Sequence, residues 1–315
     1  MKQIFRQTTK EWENTLSMAK FRTNHARQDK SSSSGMIVKV GLFGALLGGI
    51  YFVFDYFTGN NNTTTPETTD TYQAEAYFLP SSSGQVIEYR DYVLSYDEEH
   101  EQAEWVAYIL TKENLEKPWN KRTDNFLPDS RVKTGSSTPD DYRGSGYDRG
   151  HLVPAADMAY DPEAQEETFL MSNISPQARN FNKGIWRELE ELTRNWAKKF
   201  DQLYVVTGPV LTQEPKGYIG ENEVAVPASY FKVLLDLTEP EQKAIAFLIP
   251  NQVSFEPLYN YVVSIDAVED LTGIDFFPEL MPKDLEEKLE ASYNIDLWEF
   301  SKQKFDQRVE DWNKQ

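Results

Sequence analysis

Three blocks of polar residues between positions 147 and 194 carry side chains that hydrolytic chemistry uses. They read YDRGH at 147–151, MSNISPQ at 171–177 and NKGIWRELEELTR at 182–194. His151 is the key residue of the first block, because an imidazole with a reference pKa of about 6.5 can take a proton from water near neutral pH. A buried structural histidine is the competing interpretation, and this residue alone does not decide between them.

The third block predicts a helix over residues 182–200 that begins at Asn182 as N-cap. One face of that helix repeats at helical spacing through Trp186, Leu189, Thr193 and Trp196. At about 100° per residue, Glu190 falls about 80° from Asn182 and Arg194 about 40° further on. The helix therefore offers an amide oxygen, a carboxylate and a guanidinium to one site. A simple cap followed by a surface ion pair is the alternative.

The residue counts limit which metals the protein can bind. The chain has no cysteine, and its histidines are only His25, His100 and His151. A structural zinc site needs four nitrogen or sulfur ligands, which these widely spaced residues do not readily supply. Any metal is therefore expected to prefer oxygen ligands, as Mg²⁺, Mn²⁺ and Ca²⁺ do.

The elements around the three blocks predict one mixed α/β domain. β-Branched and aromatic residues indicate strands at 85–95, 105–111, 168–174, 203–211, 233–237 and 244–249. The charged tail at 284–312 is expected to form one or two amphipathic helices, with Phe305, Val309 and Trp312 at helical spacing.

In their order and spacing, the three blocks resemble the DNA/RNA non-specific endonuclease family. This is the ββα-metal group that includes endonuclease G and the secreted sugar-non-specific nucleases. The similarity is strong over 147–194 and weaker from about Tyr89 to Leu237. It implies an α+β fold, a ββα-metal nuclease domain whose central, mostly antiparallel sheet is flanked by helices. It also implies Mg²⁺-dependent hydrolysis of phosphodiester bonds in DNA and/or RNA without strong sequence preference.

The resemblance assigns a role to each matching residue. His151 is the expected general base, Asn182 the direct ligand of Mg²⁺ (with Mn²⁺ as the alternative), and Glu190 a residue that holds the metal's waters. Arg194 is expected to act on the phosphate during catalysis. The predicted substrate-binding residues are Arg149, Asn173 and Arg187, and Asn173 is also expected to support the site geometry.

The sequence departs from the family pattern at Glu101. The family often has an arginine there, four residues before the residue that is Trp105 in this chain. If that arginine grips phosphate, the contact is lost or is supplied by Arg90 or Lys121. Substrate preference between DNA and RNA is therefore left open.

Residues 36–57 form an apolar stretch that predicts a single transmembrane helix. No residue from Val40 to Phe54 is charged, and the stretch approaches the ~20 residues that span a bilayer. A cleaved signal peptide, a transit peptide and a buried core helix are the alternatives. Gly44 and Gly48 have the spacing of a helix-pairing motif, so a homodimer is also considered.

The charge pattern orients this predicted anchor. Seven Lys or Arg residues precede position 36, and none occurs in the polar segment that follows the stretch. The positive-inside rule then makes 1–35 a basic cytoplasmic segment. Residues 58–72 are predicted to be a flexible Thr/Asn-rich linker, and 73–315 the nuclease domain, which is expected outside the cytoplasm, in the periplasm or the cell exterior.

The net charge opposes the nuclease hypothesis. The chain carries −19, and since residues 1–57 carry +4, the remainder carries −23. Nucleic-acid-binding domains usually show a basic field instead. A catalytically silent, membrane-tethered nucleic-acid-binding or uptake protein and an acidic interaction protein are therefore retained as alternatives. The sequence is silent about any inhibitor protein.

Overall fold

The computed structural model describes residues 78–314, which are built around a seven-stranded sheet. Along the sheet the order is β1-β2-β3-β6-β9-β10-β11, and every neighbouring pair is antiparallel. The strands are β1 Gln85–Glu88, β2 Val93–Asp97, β3 Gln102–Thr111, β6 Gln202–Pro209, β9 Ser229–Asp236, β10 Lys243–Pro250 and β11 Val262–Val263. The predicted mixed fold with a central antiparallel sheet is confirmed.

Helices cover both faces of this sheet. They are α1 Lys112–Glu116, α2 Pro162–Glu167, α3 Arg187–Phe200, α4 Ile265–Thr272, α5 Lys283–Glu290 and α6 Lys302–Glu310. Successive residues of a strand point to opposite faces. In β9, the Tyr230 ring packs at a tilt against Trp186, just before α3, whereas Phe231 packs against Phe276, just after α4. The α3 face and the α4 face of the sheet are therefore different environments.

Two short ribbons stand beside the main sheet. Strands β4 Tyr147–His151 and β5 Ile174–Ala178 pair antiparallel, with His151 opposite Ile174, and β7 Tyr218–Ile219 pairs with β8 Val224–Ala225. Glycine is required at Gly150 because a Cβ there would lie 2.1 Å from the side-chain Cδ of Gln177. The ribbon β4-β5 followed by α3 places the first and third sequence blocks side by side.

The predicted helix at 182–200 is only partly regular. Residues Phe181–Trp186 form a wide, π-type turn in which Gly184 has φ −101° and ψ −110°, and the regular helix is α3. Asn182 lies inside this turn, so the prediction that it is an N-cap is wrong. The angular argument that joined Asn182 to Glu190 fails for the same reason.

A second prediction is also corrected. Residues 168–174 were expected to form a buried strand, but Met171–Asn173 is a 3₁₀ turn and the strand begins only at Ile174. The residues are buried, as predicted. In that turn, however, the backbone bonds locally, for example from Asn173 N–H to Leu170 C=O at 2.9 Å.

The C-terminal tail forms two helices, α5 and α6, followed by a 3₁₀ turn at Trp312–Lys314. Arg308 ties α6 to the domain, because its fully buried guanidinium donates to Glu188 Oε2 at 2.6 Å and to the Glu256 carbonyl at 2.6 Å. The tail is thus part of the packed domain.

No helix within residues 78–314 is long and apolar enough to cross a membrane. The predicted basic segment 1–35, anchor 36–57 and linker 58–72 lie outside the described residues.

Candidate active site

His151 ends β4 in an aromatic pocket. Its ring makes edge contacts with Phe126 and Phe169, at centroid distances of 5.6 and 4.9 Å, and its Nε2 is buried with no hydrogen-bond partner. Burial lowers the pKa of His151 to about 3, with further contributions from the charges of Arg122 and Arg149. The imidazole is therefore neutral at pH 7, with a nitrogen free to accept a proton.

Asn182 is held toward His151's strand by Asp148. The Nδ2 of Asn182, in the π-type turn, donates to Oδ2 of Asp148, on β4, at 3.1 Å. Because the amide nitrogen is engaged in this bond, the amide oxygen is left as the group available to a ligand. The wide turn, rather than a helical cap, is what presents this side chain.

Glu190 and Arg194 lie one turn apart on α3, as predicted. Arg194 Nη1 donates to Asp157 Oδ1 at 2.7 Å, and the same carboxylate accepts from Tyr108 Oη at 2.8 Å. Asp157 is 1% exposed and the Arg194 side chain 13%. Burial raises the pKa of Glu190 to about 7, against the opposing charges of Arg194 and Lys232.

Sequence reasoning missed Lys232, a fully buried residue of β9. Its Nζ has no hydrogen-bond partner and lies 5.2 Å from the centre of the Trp186 ring. Burial lowers the pKa of Lys232 to about 8, while the charges of Glu190 and Asp157 oppose that shift. A lysine inside an otherwise apolar strand was the available signal. The positive charge of Lys232 acts on the Glu190 carboxylate.

Arg122 also belongs to this neighbourhood and was not singled out. Its guanidinium lies 5.0 Å from the centre of the Phe169 ring, and its charge acts on both His151 and Glu190. Its Nε pairs with Asp124 at 2.6 Å. Arg122 therefore connects the two halves of the site, the histidine pocket and the α3 carboxylate.

A basic cleft of about 490 Å³ opens beside these residues. Arg149 lies on its wall with its guanidinium 4.2 Å from the centre of the Phe126 ring. The cleft is lined by Phe126, Pro139, Tyr142, Arg143, Tyr147, Asp148, Arg149, Arg179, Asn182 and Lys183. Four of these residues are cationic and one is anionic, so the cleft is positive although the chain as a whole is acidic.

Two predicted substrate contacts do not fit their surroundings. Asn173 is fully buried, and its amide is occupied by backbone: Oδ1 accepts from Val153 N–H, and Nδ2 donates to the carbonyls of Val153 and Thr168. The occupied amide favours the other expected role of Asn173, support of the segment after His151. Arg187 lies over the Trp312 ring at 4.1 Å and pairs with Glu191, and it does not line the cleft.

Glu101 does not reach the cleft lining either. It has a φ of 56° and accepts a hydrogen bond from Tyr96 Oη at 3.0 Å. Arg90, considered as a replacement phosphate contact, pairs with Asp161 and Glu163. Arg122 lies closer to the site chemistry than either residue, through its effect on His151 and Glu190.

The donor set fits a hard divalent cation. The oxygen of Asn182 and the carboxylate of Glu190 accept no hydrogen bond from any residue in 78–314. Amide and carboxylate oxygens are the ligands that Mg²⁺ and Mn²⁺ prefer. Burial raises the pKa of Glu190, and a cation bound beside it would favour the ionised carboxylate.

The sequence profile of the DNA/RNA non-specific endonuclease family matches residues 71–283, more than half of the chain. The chain belongs to this family. The resemblance drawn from the three blocks is thereby confirmed, and the matched range contains His151, Asn182, Glu190 and Arg194.

Named relatives give the same result. The chain is 36% identical over 222 residues to the mitochondrial nuclease EXOG of Danio rerio, covering 66% of this chain and 65% of that protein. It is 34% identical over 220 residues to the mitochondrial endonuclease G of Homo sapiens, covering 66% and 74%. A crystal structure of an EndoG/EndoGI complex has 31% identity and a TM-score of 0.61, covering 70% of this chain and 95% of the other.

Proposed function

We propose that this protein is a metal-dependent endonuclease that hydrolyses phosphodiester bonds of DNA, RNA or both, with His151 as general base. The observation that carries the proposal is the His151 ring at the end of β4, which makes no hydrogen bond with any described residue, in a chain that belongs to the nuclease family. Burial lowers its pKa and so favours the neutral ring. A neutral imidazole without a protein partner can take a proton from a water that enters the site.

In this proposal His151 takes a proton from the attacking water. The water oxygen forms a bond to phosphorus, the bond from phosphorus to the leaving 3′ oxygen breaks, and that oxygen takes a proton from a solvent water. The imidazolium of His151 then releases its proton to solvent. A neutral imidazole is the required starting form, and the low pKa of His151 supplies it over the whole neutral range. General-base catalysis of this kind contributes about 10²–10⁴-fold.

Asn182 and Glu190 are the residues that would hold the metal. Asn182 offers its amide oxygen directly, and Glu190 would bind the metal's waters. A bound Mg²⁺ or Mn²⁺ supplies positive charge that stabilises the phosphate as negative charge builds up on it. Asp148 would keep the Asn182 oxygen turned toward the metal by holding the amide nitrogen.

Phosphate contacts are proposed for Arg149 and Arg194. Arg149 lines the basic cleft, where a nucleic-acid backbone would meet positive charge. Arg194 keeps part of its guanidinium free after pairing with Asp157, and a fixed guanidinium favours an anionic transition state. The net negative charge of the chain does not prevent these contacts, since screening over ~8 Å limits repulsion from distant carboxylates.

The decisive experiment compares His151→Ala with His100→Ala, a matched change at a histidine that pairs with Asp97. Purified full-length variants are incubated with plasmid DNA and with RNA, in MgCl₂, MnCl₂ or EDTA. We expect His151→Ala to lose at least about 10²-fold in rate while His100→Ala stays active, and EDTA to stop the wild type. Near-normal cleavage by His151→Ala would refute the assignment, and cleavage in EDTA would refute the metal dependence.

The location is a separate part of the proposal. We infer that residues 36–57 anchor the protein in a membrane, with 1–35 cytoplasmic and 73–315 in the periplasm or the cell exterior. The uncharged stretch and the basic residues before it support this topology. Protease added to cells whose outer envelope has been opened, with the cytoplasmic membrane intact, should digest the nuclease domain but spare an N-terminal tag. Recovery of full-length protein in the soluble fraction would contradict the anchor, and cross-linking would test pairing through Gly44 and Gly48.

A further inference from the structure

Three carboxylates from two helices converge on the α4 face of the sheet. Asp266 and Glu269 lie one turn apart on α4, and Glu290 is the last residue of α5. One oxygen from each of the three lies within 4.8 Å of the others. Like charges at such separations repel one another. The cluster therefore needs a compensating cation or bound protons.

Glu290 gives a separate indication of a missing partner. Its side chain is only 6% exposed, and its Oε1 is buried with no hydrogen-bond partner. A buried carboxylate oxygen left unpaired is strongly unfavourable. The neighbouring Glu269 is better supported, since its Oε1 accepts from the Phe276 N–H at 2.9 Å. The Glu290 carboxylate thus has one buried oxygen without a partner, and the same carboxylate lies close to two other acids.

The surrounding charges do not compensate the cluster. Burial, followed by the charges of Glu269, Glu286, Asp266 and Asp275, raises the pKa of Glu290 to about 8. All four of these neighbours are carboxylates.

The donor set favours calcium over magnesium. Calcium takes about 6–8 oxygen ligands in flexible geometry, whereas magnesium demands a near-ideal octahedron and is usually bound through one or two carboxylates and several waters. Three carboxylates that converge from two helices fit the more flexible calcium shell. Asp266 is exposed, so an ion has a path in from solvent, and water can complete the coordination.

We propose that Asp266, Glu269 and Glu290 bind a calcium ion that joins α4 to α5. This site is distinct from the candidate active site, because α4 is followed by Phe276 on the Phe231 face of β9, opposite Lys232. The family match ends at residue 283, so Glu290 lies beyond it. The proposal does not depend on the nuclease activity, and its expected consequence is a domain stabilised by Ca²⁺.

The test measures the melting temperature of the full-length protein with and without about 5 mM CaCl₂, at constant ionic strength. For a dissociation constant of about 10⁻⁴ M, Ca²⁺ should raise Tm by about 4–8 °C. Asn182→Ala, which removes the proposed active-site ligand, should keep this rise. Glu290→Gln and Glu269→Gln should lose it, and Glu287→Gln, an exposed acid on the same helix, should keep it.

Each contrary outcome overturns the proposal. A full Ca²⁺ response in Glu290→Gln and Glu269→Gln would show that the ion binds elsewhere. Loss of the response in Asn182→Ala would place it in the active site, and absence of any response in the wild type would show that the cluster binds no calcium. An equal rise with MgCl₂ would refute the choice of calcium over magnesium. Misfolding of Glu290→Gln is not expected, since the change removes repulsion.

Discussion

Replacing Arg194 by alanine should destabilise the protein before any effect on catalysis is considered. Arg194 is the charged partner of Asp157, whose carboxylate is only 1% exposed. The only other side chain that donates a hydrogen bond to this carboxylate within residues 78–314 is Tyr108, through its hydroxyl. Removing one partner of a buried ion pair costs about 3–5 kcal/mol, because the remaining charge stays desolvated. A domain of this size loses about 2–4 °C per kcal/mol, so Tm should fall by about 6–20 °C.

The assay is thermal unfolding followed by nuclease measurement at a temperature where the variant is folded. Arg194→Lys keeps the charge but not the forked geometry, and should lose about 1–2 kcal/mol. Adding Asp157→Asn to Arg194→Ala should recover part of the loss, since the buried charge is then absent. Arg187→Ala is the matched control: its exposed pair with Glu191 and its contact with the Trp312 ring should together contribute about 1–2 kcal/mol or less.

A Tm for Arg194→Ala within about 2 °C of the wild type would refute the buried pair. So would a double variant with Asp157→Asn that is no more stable than Arg194→Ala alone. If stability falls as expected, loss of activity in Arg194→Ala at high temperature says nothing about phosphate binding. Only the rate measured on folded protein tests the catalytic role.

Three further outcomes are expected. Glu290→Gln should stabilise the metal-free protein by about 2–5 kcal/mol at pH 8.5 and should leave its stability unchanged near pH 4.5. The pKa of Glu290 is raised to about 8 in the folded protein. The wild type therefore loses stability as the pH rises from 4.5 through 8, and the glutamine variant does not. Urea unfolding in EDTA at both pH values measures this, and equal effects at both would contradict it. Arg308→Met should cost about 3–5 kcal/mol by leaving Glu188 buried and unpaired, and an unchanged urea midpoint would oppose that. Arg149→Ala should reduce the slope of log affinity against log salt by about 1, whereas an unchanged slope would remove Arg149 from the phosphate contacts.

The sequence predicted the sheet well because its strands are continuous apolar runs with clear boundaries. β3, β6 and β10 each overlap a predicted strand, and the two tail helices lie within the predicted range. Residues 168–174 failed because buried apolar residues look the same in a strand and in a 3₁₀ turn. The strand and the 3₁₀ turn differ in their backbone hydrogen bonds. The pattern of apolar residues over a segment this short does not reveal those bonds.

The sequence predicted site residues whose type alone indicates chemistry, such as a histidine in a motif. It missed residues whose role depends on being buried beside other charged groups. His151 stood out as an imidazole in a short motif. Lys232 did not, because a lysine inside a strand carries no motif and its significance comes from Glu190 and Trp186 lying over it. Asn173 shows the converse: its polar amide lies near the motif and is bonded to the backbone, which its residue type alone does not reveal.

The uneven distribution of charge connects the two sites and resolves the conflict between an acidic chain and an anionic substrate. Arg143, Arg149, Arg179 and Lys183 gather in one cleft, whereas Asp266, Glu269 and Glu290 gather on the opposite face of the sheet. Distant carboxylates are screened within about 8 Å at physiological salt. The field that a bound phosphate meets is therefore set by the cleft and not by the net charge of −19. It follows that neutralising exposed acids far from the cleft should change the rate of association less than removing a single cleft arginine.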